Sequence, residues 1–281
     1  MVAAPNLFVI GAPRCGTTSL YAGLKQHSDV YTSVLKEPHF YASDLPKQPH
    51  TVSSQEDYSR LFDARTNQRF SAEASVWYLY SPRAALAVAR HNPGARVIVL
   101  LRSPVEMVLS LYHLYLRTGN EEERNADKAL LRSESIAFEH SYFPPGLLYS
   151  GLMRFEQHLT AWFDALPREQ IQVIFYEEFY SEPVQNFNRL CCWLGIDDRQ
   201  DISFDSKVAR QRVKMQAMKQ ILNLPPHLRE KLNPKATEIH SGVKTNTISV
   251  NTRARLQAIA EQGFSNLSSL LGRPLPAQWW A

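Results

Sequence analysis

The sequence predicts an α/β fold of three layers, with a central, mainly parallel sheet flanked by helices. Residues 7–10 and residues 95–102 each contain a continuous apolar run, which is typical of parallel strands covered on both faces. Amphipathic stretches alternate with these runs, as an α/β layout requires. Because no Gly/Ser-rich or Pro-rich linker divides the 281 residues, we predict a single domain over residues 1–281.

Apolar periodicity and turn residues place the individual elements along the chain. Helix starts are marked by residues such as Ser81-Pro82, where Pro occupies the first helical position, and Asn92-Pro-Gly94 ends that helix. Trp162 is predicted to face inward from a later helix. The predicted elements are strand 7–10, helix 17–26, strand 30–33, a turn of helix within 43–60, helix 82–90, strand 95–102, a helix from 104, helix 157–165 and strand 171–176.

The loop after the first strand has the glycine spacing of a phosphate-binding loop. Gly11 and Gly16 are spaced as in nucleoside-triphosphate enzymes, but Thr17 replaces the Lys that reaches the outer phosphates. Backbone amides and the helix dipole converge on an anion at such a loop. Arg14 in its middle favours a terminal group other than a magnesium-bound γ-phosphate. An ordinary strand-turn-helix with small residues is the alternative.

The second buried strand ends in a cation. Nucleotide hydrolases and kinases typically have an Asp there that helps to hold magnesium, whereas this chain has Arg102. A cation attracts a second anionic group of the ligand and repels a metal. Ser110 lies two helical turns after Ser103, so that the fork of Arg102 and the hydroxyl of Ser110 can close on one phosphate. No His/Cys ligand cluster is present, and no metal is predicted. A solvent-facing arginine is the alternative.

These segments resemble the two cofactor-binding segments of sulfotransferases that use 3′-phosphoadenosine 5′-phosphosulfate (PAPS). They read Gly-Ala-Pro-Arg-Cys-Gly-Thr-Thr-Ser at 11–19 and Leu-Arg-Ser-Pro-Val-Glu-Met-Val-Leu-Ser at 101–110. Lys36-Glu-Pro-His-Phe-Tyr41 is similar to the Glu-x-His-Phe-Phe stretch of the glycan-modifying branch. Residues 171–196 and 252–280 extend the resemblance over nearly the whole chain.

The resemblance implies a P-loop-like fold, PAPS as donor and adenosine 3′,5′-bisphosphate (PAP) as product, with no metal. It implies that the 3′-phosphate is held by Arg102 and Ser110. A late basic loop adds Arg210 and Arg212, for which a solvated helix face is an equal alternative. The implied contacts of the 5′-phosphosulfate are Arg14, Cys15, Gly16, Thr17, Thr18 and Ser19.

Glu37 is the predicted general base because of this match to the glycan branch, with Arg14 stabilising the leaving oxygen. His39 lies two residues on, so in an extended strand both side chains face the same side, where His39 orients the acceptor or shares the base role. Glu73 is the third candidate. A surface ion pair between Glu37 and Lys36 is the alternative. The glycan branch often has Glu-Lys-Thr-Pro where this chain has Glu-Ala-Ser-Val at 73–76.

The predicted function is sulfuryl transfer to a hydroxyl, or an amine, of a saccharide, glycolipid or carrier-bound metabolite. A magnesium-dependent nucleotide or small-molecule kinase and a non-catalytic nucleotide-binding module are the alternatives. Loops over 41–60, 76–80 and 112–146 are predicted to face the acceptor, and 119–127 to form a solvated loop or a lid. The aromatic residues there form either an acceptor platform or core, namely Trp77, Tyr78, Tyr112, Tyr115 and Tyr142.

Composition limits the other possibilities. A net charge of +4 and a pI near 8.9 suit a polyanionic donor but lack the clustered basic stripe expected for nucleic acid. Three cysteines fit a reducing compartment, and no signal-length or membrane-length apolar run appears, so we expect a cytoplasmic protein without integral membrane association. A helix N-terminus is expected to lower the pKa of the Cys15 thiol, unless that residue only fills the loop. No pattern specifies the oligomeric state.

Overall fold

One five-stranded sheet forms the centre of the protein, whose computed structural model describes residues 5–48, 50–132, 141–204, 247–264 and 266–280. Every pairing is parallel, and the strand order is β2-β3-β1-β4-β5. The predicted α/β fold is therefore confirmed. Arg210 and Arg212 lie outside the described residues. The strands are β1 (Leu7–Gly11), β2 (Val30–Thr32), β3 (Phe70–Ala74), β4 (Arg96–Leu101) and β5 (Ile171–Phe175).

Helices surround the sheet. The α-helices are α1 (Thr17–Leu24), α2 (Gln55–Arg60), α3 (Pro82–His91), α4 (Pro104–Thr118), α5 (Ala126–Leu130), α6 (Tyr149–Leu152), α7 (Phe155–Ala165), α8 (Tyr176–Phe179), α9 (Pro183–Leu194), α10 (Val250–Gln262) and α11 (Leu267–Leu271). Short 3-10 helices span Val76–Tyr80, Pro144–Leu147, Arg168–Gln170 and Ala277–Trp280. Among the helices that the structure describes, none combines the length and the apolarity needed to cross a bilayer.

The apolar runs form the middle of the sheet. Every residue of β1 is buried, as are Val97 to Leu101 of β4, because helices cover both faces of these central strands. Each fully buried Val, Leu or Ile side chain contributes about 1.5–3 kcal/mol through the hydrophobic effect. Ser81 caps α3 as predicted, since its Oγ accepts a hydrogen bond of 3.0 Å from the amide of Ala84. Trp162 is buried in α7, also as predicted.

The strand order determines where a ligand binds. After β1 the chain moves toward β2 and β3, whereas after β4 it moves toward β5, and β1 and β4 are neighbours. In open parallel sheets ligands bind at the carboxyl ends of the strands where the direction reverses. Gly11 lies opposite Leu100, so the phosphate-binding loop begins beside the end of the strand that precedes Arg102.

Candidate active site

Two glycines shape the loop between β1 and α1. Gly11 has a φ of 141° and Gly16 a φ of 87°, both in the region that side chains rarely adopt. A Cβ atom on Gly11 would overlap the backbone of Leu100, and one on Gly16 would lie 2.5 Å from the ring of Tyr180. The Tyr180 hydroxyl donates a hydrogen bond of 2.8 Å to the Gly16 carbonyl. The loop therefore requires glycine at both positions.

Backbone amides of this loop are available to an anion. Among the residues that the structure describes, none accepts a hydrogen bond from the amides of Arg14 to Thr18, whereas Ser19 and Leu20 donate to the Gly16 carbonyl. The dipole of α1 adds positive potential at the same place. The predicted anion-binding loop thus has both the hydrogen-bond donors and the positive electrostatic potential that an anion requires.

Arginine side chains converge on the loop. Arg14 has a left-handed φ of 65°, and its Nε donates a hydrogen bond of 3.0 Å to the Oγ of Ser110 on α4. Arg102 Nη1 donates to the Arg14 carbonyl at 3.3 Å, and its guanidinium lies 4.7 Å from the centre of the Tyr176 ring. The structure therefore brings together Arg14, Arg102 and Ser110, which the sequence assigned to two phosphates.

The positive charges of Arg117 and Arg102 act on Arg14 at this loop. Partial burial, and after it the charges of Arg117 and Arg102, lower the pKa of Arg14. Within the described ranges no ion pair joins Arg14, Arg102 or Arg117 to a carboxylate. Arg117 was missed, although it follows Ser110 by seven residues and so shares its helix face. A polyanionic ligand supplies the charge that this cluster lacks.

Glu37 and His39 lie on a tight turn, so the predicted extended strand is wrong. Their φ angles are 64° and 50°, left-handed on both sides of Pro38. The side chains nevertheless meet, because His39 Nε2 lies 3.4 Å from Glu37 Oε2. Lys36 Nζ donates to Oε1 of the same carboxylate, and the Val76 amide donates to Oε2 at 2.8 Å. The ion pair with Lys36, which was the alternative for Glu37, is therefore present, and the base role of Glu37 stays a prediction.

Both groups of this turn have perturbed titration. Burial alone would raise the pKa of Glu37. The opposing effects of Lys36, His39 and the Val76 amide are larger in sum, so the pKa lies below its ordinary value. Burial lowers the pKa of His39 to about 4, and the imidazole is therefore neutral near pH 7. Its Nδ1 is buried and has no hydrogen-bond partner among the described residues. With Nε2–H facing Glu37, this nitrogen is an acceptor.

Glu73 is enclosed and cannot reach an acceptor molecule. The residue is 0% exposed, whereas 23% of the Glu37 side chain is exposed. Its Oε1 accepts from Ser75 Oγ at 2.6 Å, and its Oε2 accepts from the hydroxyls of Tyr58 and, at 3.2 Å, Tyr78. Burial raises the pKa of Glu73 to about 7. Of the two carboxylates, only Glu37 is open to a proton-transfer partner.

The loop residues that follow Arg14 have different environments. Cys15 is fully buried, and its thiol donates to the Pro13 carbonyl at 3.5 Å. Burial raises the pKa of this thiol, so the expected lowering by the helix N-terminus is wrong. Thr17 is buried, whereas Thr18 is exposed and Ser19 is half-buried. Cys15 fills the loop, and the hydroxyl of Thr18 is the most accessible.

The predicted acceptor loops are less open than expected. Trp77, Tyr78, Tyr112 and Tyr115 are buried, and only Tyr142 of that aromatic group is exposed. In the acidic segment 119–127 the structure buries Asn120, Glu121 and Ala126, whereas the other residues are exposed or half-buried, as expected for a mainly solvated segment. Glu121 forms a bidentate ion pair of 2.8 and 2.9 Å with Arg132 and accepts from the amides of Glu122 and Glu123.

These observations define an α/β protein with arginines and available backbone amides at the switch point of a parallel sheet, and with the Glu37–His39 turn attached to the end of β3. The family model of the sulfotransferase domain matches residues 4–268. The chain belongs to the sulfotransferase family, which confirms the family that the sequence motifs resemble. The family match favours the transferase over the kinase.

Curated relatives show the same relationship at low identity. Human carbohydrate sulfotransferase 15 is 25% identical in an alignment 273 positions long. This alignment covers 79% of this chain and 44% of that protein. Human heparan sulfate glucosamine 3-O-sulfotransferase 6 is 23% identical over 194 residues, which cover 68% of this chain and 52% of that protein. The chain thus spans about half the length of these relatives.

Solved structures agree with the fold. A sulfotransferase from Alicyclobacillus acidocaldarius is 27% identical with a TM-score of 0.76, and the match covers 99% of this chain and 100% of that one. Mouse sulfotransferase SULT7A1 complexed with PAP has a TM-score of 0.50 at 14% identity, covering 95% of this chain and 88% of that one. At that identity the likeness shows the fold alone.

Proposed function

We propose that this enzyme transfers the sulfuryl group of PAPS to a hydroxyl, with Glu37 as the general base. The observation that carries the proposal is the cluster of Arg14, Arg102 and Arg117 at the loop, which has no carboxylate partner and no acceptor for its amides among the described residues. The neighbouring strand β3 ends at the turn of Glu37. Such a site is complementary to a ligand with two anionic groups and to a proton leaving a neutral acceptor.

The residues present fit PAPS. Arg102 and Ser110 would hold the 3′-phosphate, and Arg14 with the amides up to Thr18 would hold the 5′-phosphosulfate. The hydrogen bond of 3.0 Å between Arg14 and Ser110 joins the two halves of this site. Arg210 and Arg212 remain predicted contacts of the 3′-phosphate.

Charge stabilisation is the main task of the loop. Bound PAPS supplies a sulfuryl group activated by its phosphate leaving group. As the acceptor oxygen bonds to sulfur, the bridging S–O bond breaks and its electron pair stays on the phosphate. Arg14 and the amides at Gly16 and Thr17 stabilise that developing charge without moving, since the loop is already formed.

Glu37 receives the proton of the attacking hydroxyl. Its pKa lies below the ordinary value, so the carboxylate is ionised and ready to accept at neutral pH. The neutral imidazole of His39 contacts the same carboxylate and presents Nδ1 as an acceptor, which suits it to orient the hydroxyl. The base role is therefore assigned to Glu37 and the orienting role to His39.

A saccharide hydroxyl is the acceptor that we propose first. Two of the curated relatives are a carbohydrate sulfotransferase and a heparan sulfate sulfotransferase, which supports this class. Glycolipids and carrier-bound metabolites are the further members of the acceptor panel. Free thiols at Cys15, Cys191 and Cys192 are in keeping with the cytoplasmic location expected from the sequence.

Transfer from radiolabelled PAPS to a panel of oligosaccharides, glycolipids and acylated carriers tests the proposal. Glu37→Gln should lower kcat by about 10²- to 10⁴-fold while PAP binding is retained. Glu56→Gln is the matched control, because Glu56 is an exposed acid paired with Arg60 on α2. Equal rates in Glu37→Gln and wild type would remove Glu37 from the base role.

A further inference from the structure

The turn that carries Glu37 and His39 is attached to the end of β3 through side-chain hydroxyls. The His39 amide donates to Ser75 Oγ at 3.1 Å, and the Tyr41 amide donates to the Tyr78 hydroxyl at 3.1 Å. All four residues are buried. The hydroxyls therefore replace the backbone partners that these two amides would have in a sheet.

Glu73 sets the direction of both hydroxyls. Its carboxylate accepts from Ser75 Oγ and from the Tyr78 hydroxyl, and a hydroxyl that donates its proton there has its lone pairs free for another donor. Those lone pairs accept from the amides of His39 and Tyr41. Two hydrogen-bond relays thus run from Glu73 to the turn, one through Ser75 to the His39 amide and one through Tyr78 to the Tyr41 amide.

The turn needs such support. Left-handed φ angles at residues other than glycine persist only where the surroundings fix them. The Glu37 amide donates to the Ala74 carbonyl at 2.8 Å, which anchors the first residue of the turn. Beyond Glu37, the turn is held at His39 and at Tyr41 by the relays that begin at Glu73.

Glu73 also lacks the partner that a purely structural buried carboxylate usually has. In the part of the chain that the structure describes, no Lys, Arg or His forms an ion pair with it, and its partners are three hydroxyls. Burying an unpaired carboxyl costs free energy. Glu121, by contrast, is paired with Arg132.

We infer that Glu73 is a positioning residue of this enzyme, which holds the Glu37–His39 turn in its reactive conformation through the hydroxyls of Ser75 and Tyr78. The inference rests on the proposed base role of Glu37. Glu73 acts on the chemical step without touching the acceptor or the donor. This positioning role replaces the base role for which the sequence made Glu73 the third candidate.

Variants of the relay test the inference. Ser75→Ala and Tyr78→Phe each delete one hydroxyl, and Glu73→Gln alters the shared acceptor. We expect kcat to fall about tenfold or more in each, because misplacement of a catalytic group weakens transfer, while the Kd for PAP stays within about twofold. Glu121→Gln is the control for loss of a buried carboxyl elsewhere, and its kcat should stay within about twofold of wild type.

Amide hydrogen exchange supplies a readout that does not depend on turnover. The His39 amide should exchange about tenfold faster in Ser75→Ala, the Tyr41 amide about tenfold faster in Tyr78→Phe, and neither faster in Glu121→Gln. Unchanged exchange and unchanged kcat in the relay variants would overturn the inference, as would equal losses in Glu121→Gln. If wild type fails to bind PAP or to transfer, the proposed function fails, whereas the exchange rates still decide whether the relay holds the turn.

Discussion

Replacing Glu73 by Gln should change how the stability of the protein depends on pH. Burial is the main cause that raises the pKa of Glu73 from 4.5 to about 7, against the hydrogen bonds from Ser75, Tyr58 and Tyr78 that lower it. Between these two values the folded protein holds a proton that the unfolded chain has released. Stability from this group is therefore complete below pH 4.5 and is lost as the pH rises toward 7. At about 1.4 kcal/mol per pH unit, the loss is about 3 kcal/mol.

His39 has the opposite effect over nearly the same range. Burial lowers its pKa from 6.5 to about 4, so the unfolded chain binds a proton there that the folded protein excludes. Its contribution grows as the pH rises from about 4 to 6.5, again by about 3 kcal/mol. In the wild type the two contributions offset each other. Glu73→Gln should expose the rise due to His39, and His39→Gln should expose the fall due to Glu73.

Urea unfolding in half-unit steps between about pH 4.5 and 7 measures this difference. The free energy of unfolding of Glu73→Gln should climb relative to wild type by about 3 kcal/mol across the range. A constant offset between Glu73→Gln and wild type would refute the assignment of a raised pKa to Glu73.

Two further changes test the loop and the base. Gly16→Ala places a Cβ 2.5 Å from the Tyr180 ring at a φ of 87°. The substitution should lower the free energy of unfolding in urea by about 2 kcal/mol or more. Wild-type stability of this variant would contradict the geometry of the loop. Lys36→Met removes the cation next to the Glu37 carboxylate, so the pKa of Glu37 should rise. The acid limb of kcat/KM should therefore move to higher pH, and an unmoved limb would show that Lys36 does not tune the base.

The sequence predicted the centre of the sheet and the phosphate-binding loop because each has a strong local cause. The runs in β1 and β4 are continuous and apolar, and only glycine tolerates the backbone of the loop at Gly11 and Gly16. Strand β3 was missed although Phe70–Ala74 alternates apolar and polar residues, and this alternation does not indicate that Ser71 and Glu73 are also buried. Its burial comes from the neighbouring strands, which a single sequence does not reveal.

The candidate site was predicted in its residues and not in its shape. The sequence predicted that Glu37 and His39 lie on one side of an extended strand, whereas they meet across a left-handed turn. Nothing local indicates that the residues on either side of Pro38 adopt left-handed φ angles. That conformation depends on partners more than thirty residues away at the end of β3. The relay through Glu73 was therefore invisible from sequence spacing.

Calorimetric titration of PAP, without metal, into wild type, Arg102→Ala and Arg60→Ala tests the central claim most directly. Arg60 is an exposed arginine outside the site, so its variant matches the loss of one positive charge. The account predicts tight binding to wild type, a loss of about 10- to 100-fold in Arg102→Ala and no loss in Arg60→Ala. Equal affinity of the two variants, or a preference of the wild type for magnesium-ATP over PAP, would contradict it.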